Sequence, residues 1–141
     1  MIEDTQILNE IRKEWETVNQ SRGMVIENTG MAFFVSHGII SAEFGSIKLA
    51  SSLLLLFAFS VLERVLLQFR SEGLFKCKSN HLGYLMEANR SVLPWCAYDL
   101  IDQAREKRNN IAHRREWIHP NESYQFIDAI GLELITWKII E

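Results

Sequence analysis

IKLASSLLLLFAFSVLERVLLQFRS, residues 47–71, decides the fold. Its apolar side chains surround a helix axis almost completely, the pattern of a central helix with neighbours on several sides. From Leu49 to Leu62 the apolar run is interrupted by three serines, and Glu63-Arg64 closes it. That is short of the ~20 apolar residues a membrane-spanning helix needs. The expectation is a buried core helix and no membrane association.

Upstream, Ile7, Leu8, Ile11, Trp15 and Val18 recur at 3–4 spacing, which predicts an amphipathic helix over residues 4–20. Ser21-Arg22-Gly23 is expected to interrupt it. Residues 24–46 are ambiguous: Gly30, Gly38 and Gly45 stand among Met31, Phe33, Phe34, Val35, Ile39, Ile40 and Phe44. Helix is favoured there, with a strand or turn near 31–41 left open.

Downstream, Gly73 is a natural helix stop. A polar loop from Lys76 to Ser79 precedes a short helix near 80–89. Ser91 and Pro94 suit the start of another helix, running to about 113. His119-Pro120-Asn121 reads as a loop, and Phe126, Ile127, Ile130, Leu134, Ile135 and Ile139 mark a closing helix over 123–140. The predicted fold is all-α, an up-and-down bundle of four or five helices. No repeat or linker divides the 141 residues, so one domain, 1–141, is expected.

The composition agrees, with 48% hydrophobic and 23% charged residues and only two prolines and seven glycines to break long elements. Cys77 and Cys96 form no metal-binding spacing with each other or with a histidine. A disulfide framework or structural zinc is therefore not expected, and a reducing cytoplasm suits the chain. MIEDTQILNEIRKEW, at the start, is too charged for a secretory signal peptide.

The net charge is −3, which argues against coating nucleic acid by charge alone. Its distribution matters more. Arg105, Lys107, Arg108, Arg114 and Arg115 stand against a single acid, Glu106, and make a local basic spot on an acidic body. Such a spot can hold a few phosphates.

A helical projection of residues 93–113, with Ala104 at zero, puts Leu93, Ala97, Leu100, Ile101 and Ile111 on one core stripe. Arg108 falls near 40°, inside it. A charge there needs a partner. Glu63 stands on the 3–4 spaced line of Leu49, Leu53, Leu56, Ser60 and Leu67, so a Glu63–Arg108 pair is expected. His113 projects near 180°. It shares a site with Arg108 only if the helix ends or distorts near Asn109-Asn110, or if a second copy of the chain contributes. Both remain open.

Arg108-Asn109-Asn110-Ile111-Ala112-His113 resembles the signature of the HEPN family, an Arg, commonly followed by a polar residue, with a His after four to six intervening positions. The helix order over about residues 45–140 is also similar. The first 40 residues lie outside the resemblance.

The resemblance implies a dimeric helical domain. It also implies metal-independent endoribonuclease activity with no cofactor, of the kind found in toxin–antitoxin and phage-defence systems. The Arg and His of two protomers line a shared cleft in such enzymes. Arg108 would hold the phosphate and His113 would act as acid or base, with Glu63 and Asn109 positioning them. Arg105, Lys107, Arg114 and Arg115 would contact RNA. An imidazole can move a proton at neutral pH, and a guanidinium can grip a phosphate with two parallel bonds.

Partners would be the RNA substrate, a second copy of the chain and an antitoxin protein. The alternatives are a non-catalytic protein- or nucleotide-binding module, or a purely structural helical dimer. His37, His81 and His119 read as structural or surface residues. Trp117, close to the motif, is able to stack a base.

Overall fold

A computed structural model describes the backbone of residues 2–35 and 40–141, and the side chains of residues 2–27 and 45–141. Among the described residues it is all-helical, with five helices: α1 (Thr5–Val35), α2 (Ile40–Ser71), α3 (Leu82–Asn89), α4 (Tyr98–Arg114) and α5 (Pro120–Thr136).

α2 is the central element, packing against each of the other four helices. Leu55, Ala58, Phe59, Val61, Leu62, Val65 and Leu66 are all fully buried, while Leu49, Leu53 and Phe57 leave one apolar strip of the helix exposed. By length and composition Gly45–Ser71 is long and apolar enough to cross a membrane, which the apolar run by itself did not suggest. More than half of that window is covered by the rest of the protein.

Two buried serines give α2 polar anchors. Ser52 Oγ donates to the Lys48 carbonyl at 2.7 Å and accepts from the Ile118 amide at 3.0 Å. The Ser51 carbonyl accepts from Ser123 Oγ at 2.6 Å. Together they dock the α4–α5 connection onto α2, and they satisfy groups that would be costly to bury unpaired.

α1 starts where Asp4 Oδ1 accepts the amides of Gln6 and Ile7. It does not break at Ser21-Arg22-Gly23, contrary to the sequence expectation. Arg22 pairs with Asp128 of α5 and lies over the Tyr124 ring, 5.0 Å from its centroid. This tertiary contact offsets the cost of about 1 kcal/mol that a glycine brings to a helix interior. Arg64 of α2 holds Glu10 and Glu14 of α1. Of the ambiguous stretch 24–46, residues 24–35 and 40–46 are helical, and 36–39 lie outside the described residues together with His37.

Two further boundaries differ from expectation. α4 begins at Tyr98, not at Ser91 or Pro94. The chain leaves α3 in a turn in which the amides of Val92 and Leu93 both bond the Asn89 carbonyl. Pro94 then disfavours the helical conformation at Leu93. Leu93 and Ala97 thus precede the helix, although Leu93 is buried as the stripe required. At the other end, His119-Pro120-Asn121 is a helix start and not a loop. His119 is the N-cap, its Nδ1 accepting the Asn121 amide at 3.1 Å, and Pro120 opens the first turn. α5 ends at Thr136, where the Ile139 amide closes onto the Leu134 carbonyl at 2.8 Å and Lys138 takes a left-handed φ of 58°.

Candidate functional site

Glu133 of α5 sets the position of α4. It is fully buried, and its carboxylate accepts the Cys96 amide at 2.9 and 3.0 Å and the Ala97 amide at 2.6 Å. The Ala97 cap residue has no side-chain cap of its own. A carboxylate at the positive end of the helix dipole satisfies these amides instead. From there α4 runs without a break to Arg114. It stops at Arg115, in the left-handed conformation at φ 55°, where the Arg115 and Glu116 amides bond the carbonyls of Ile111 and Asn110. The break near Asn109-Asn110 that sequence reading allowed is therefore absent.

α3 is set by Arg70, at the end of α2. Its guanidinium donates to the carbonyls of Cys77 (3.2 Å) and Ser79 (2.9 Å) and to Asn80 Oδ1 (2.8 Å). These bonds fix the loop that leads into His81.

Between α3 and α4 lies a cleft of about 650 Å³. α4 lines it with Tyr98, Asp102, Arg105, Arg108, Asn109 and His113; α3 and its flanks supply His81, Leu82, Gly83, Tyr84, Glu87 and Arg90. Tyr98, Asp102, Arg105, Asn109 and His113 follow each other at steps of three or four and form one helical face. Arg108 sits at the border between this face and the core stripe of Ile101, Ala104 and Ile111, which are all buried. An unbroken helix therefore brings Arg108 and His113 to the same cleft, despite the ~140° between their projections.

Arg108 is 27% exposed, and its Nη2 lies 3.7 Å from Glu63 Oε2, so the expected Glu63–Arg108 pair is present. Nη1 donates to Asn109 Oδ1 at 3.1 Å. Nε is buried without a hydrogen-bond partner among the described residues. The guanidinium is thus held from two sides and keeps unused donors. Glu63 stands behind Arg108 and does not line the cleft.

Arg105 is held by Asp102, Nε to Oδ1 at 2.9 Å. It lies across Gly83, where a Cβ would come within 3.2 Å of Arg105 Nη1. At the far end Arg90 lies over the Tyr98 ring, 4.2 Å from its centroid, and reaches Asp99 at 3.4 Å. Burial pushes the Tyr98 phenol above its ordinary pKa, and the Asp102 carboxylate adds to the effect.

Of the residues singled out in the sequence, Arg105, Arg108, Asn109 and His113 share the cleft. Lys107 points elsewhere, 4.0 Å from Glu122 of α5, and Arg114 and Arg115 are exposed beyond the cleft wall. Trp117 packs half-buried against the core and takes no part in the cleft. Sequence reading missed His81, Tyr84, Arg90, Tyr98 and Asp102. The polar stripe on α4 carried a signal for Tyr98 and Asp102. Nothing local marks α3 as the opposite wall. Among the described residues no three His, Cys, Asp or Glu side chains converge as metal ligands.

Comparisons with protein-family models, curated proteins and solved structures gave no match.

Proposed function

We propose that the chain is an endoribonuclease of HEPN type that cleaves RNA with Arg108 and His113 and without a metal. The observation that supports this most is the shared cleft: Arg108, its neighbour Asn109 and His113 line one wall, and Glu63 pairs the arginine from behind. Such an arginine is oriented before substrate arrives, which is what stabilising a developing charge requires.

In the proposed reaction a ribose 2′-oxygen attacks the adjacent phosphorus. The P–O2′ bond forms and the P–O5′ bond breaks, leaving a 2′,3′-cyclic phosphate and a 5′-hydroxyl. His113 takes the 2′-OH proton while water protonates the leaving 5′-oxygen, or protonated His113 supplies the leaving oxygen while water takes the 2′-OH proton. Arg108 grips the phosphate oxygens as their charge rises. The exposed Leu49, Leu53 and Phe57 of α2, spaced four apart, support a homodimer. A toxin or phage-defence role with an antitoxin partner, in the cytoplasm, belongs to the same proposal.

The test is RNA cleavage by purified protein in EDTA. Wild type is expected to cleave, and His113→Ala and Arg108→Ala, checked for folding by circular dichroism, to lose at least about 100-fold in rate. Absence of cleavage, or equal rates in the variants, would leave a protein- or nucleotide-binding module with Arg108 as part of its architecture.

A further inference from the structure

We infer that the α3–α4 cleft takes RNA as a single strand and stacks one unpaired base on Tyr84, beside a phosphate held by Arg105. This rests on the nuclease proposal and adds a base subsite on a helix outside the motif. Three observations carry it.

Tyr84 is a large aromatic residue, yet 61% of it is exposed, and it lines the cleft. Its orientation is supported: His81 meets it in a T-shaped contact at 6.2 Å and 66°. Arg70 fixes the loop before His81. A T-shaped contact occupies at most one face of a ring, and the 61% exposure of Tyr84 leaves ring surface for a base.

Arg105 is the second observation. Asp102 engages its inner nitrogen, Nε, and the side chain lies flat over α3 because residue 83 has no side chain. The guanidinium is thereby placed in the cleft that Tyr84 and Arg108 also line. A phosphate next to the scissile one meets a cation already in position.

The third is shape. The α4 residues that line the cleft run from Tyr98 to His113, about 22 Å along the helix. The cleft, of about 650 Å³, is an elongated groove along that length. It suits nucleotides in single file with their bases turned out to an aromatic wall. In an A-form duplex the bases face each other, and none can reach Tyr84.

The experiment uses the His113→Ala protein, so that RNA stays intact, and follows binding of a fluorescein-labelled single-stranded RNA hexamer and of its blunt duplex by anisotropy. Tyr84→Ala in this background is expected to raise the hexamer Kd about tenfold, and Tyr84→Trp to preserve it. The duplex is expected to bind at least about tenfold more weakly than the hexamer and to ignore the Tyr84 substitutions. A hexamer Kd unchanged in Tyr84→Ala, or a duplex bound as tightly as the single strand, overturns the subsite; Arg108-dependent cleavage by wild type would still uphold the nuclease. No RNA binding together with no cleavage by wild type overturns both.

Discussion

Glu133 and Arg108 are both charges set among apolar neighbours, and their surroundings make them different tools. Glu133 is fully buried with its oxygens committed to backbone amides, so its work is structural. Arg108 is held by Glu63 and Asn109 but keeps donors in reserve beside the cleft, so it has capacity for a ligand. Glu133→Gln keeps the shape and removes the charge and one acceptor. It should lower unfolding free energy by about 1–2 kcal/mol, read from urea melts, because the part-buried Cys96 and Ala97 amides lose charge-assisted bonds. The Glu63–Arg108 pair was legible in the sequence because each residue breaks an apolar stripe on its own helix. The role of Glu133 was not: within 123–140 it is one polar residue on an amphipathic helix, and its partners lie 36 and 37 residues earlier.

At the scale of elements, the long apolar helix and the motif helix were legible from periodicity, while their ends were decided by contacts from elsewhere. α1 survives Gly23 because Arg22 reaches α5, and α4 begins late because Pro94 and the turn after Asn89 hold the chain off the helix. The site divided the same way. Arg105, Arg108, Asn109 and His113 lie close together in sequence and so read as one cluster; that His81 and Tyr84 line the same cleft depends on which helix packs opposite, which no local pattern states. The close approach of α3 to Arg105 gives a test at this scale. Gly83→Ala should push the Arg105 guanidinium aside by a few tenths of an ångström and, under the nuclease proposal, raise KM for RNA several-fold. Its effect on stability should stay within about 1 kcal/mol, since alanine suits a helix at least as well as glycine. Paired cleavage kinetics and thermal melts separate the two effects.

For the whole molecule, two tyrosines report on how the helices are packed. Burial raises the phenol pKa of Tyr98, on α4, and of Tyr124, on α5. Each folded-state value lies above the unfolded value, so the stability linked to it is fully present below about pH 10 and lost as pH rises through the folded value. Tm measured from pH 8 to 11 should therefore fall less steeply in the Tyr98→Phe/Tyr124→Phe double variant than in wild type.

The cap on α4 also has a consequence in time. A ribosome delivers residues 98–114 before residue 133, and so releases the motif helix before the carboxylate that holds its first turn. While α5 is still inside the exit tunnel, the Cys96 and Ala97 amides have only water, and α4 has no fixed starting point from which to face α3. The cleft can therefore take its final shape only once α5 has left the tunnel and docked. Under the nuclease proposal, a nascent chain with α5 still in the tunnel would be harmless to its own messenger RNA, and cutting would begin when α5 docks.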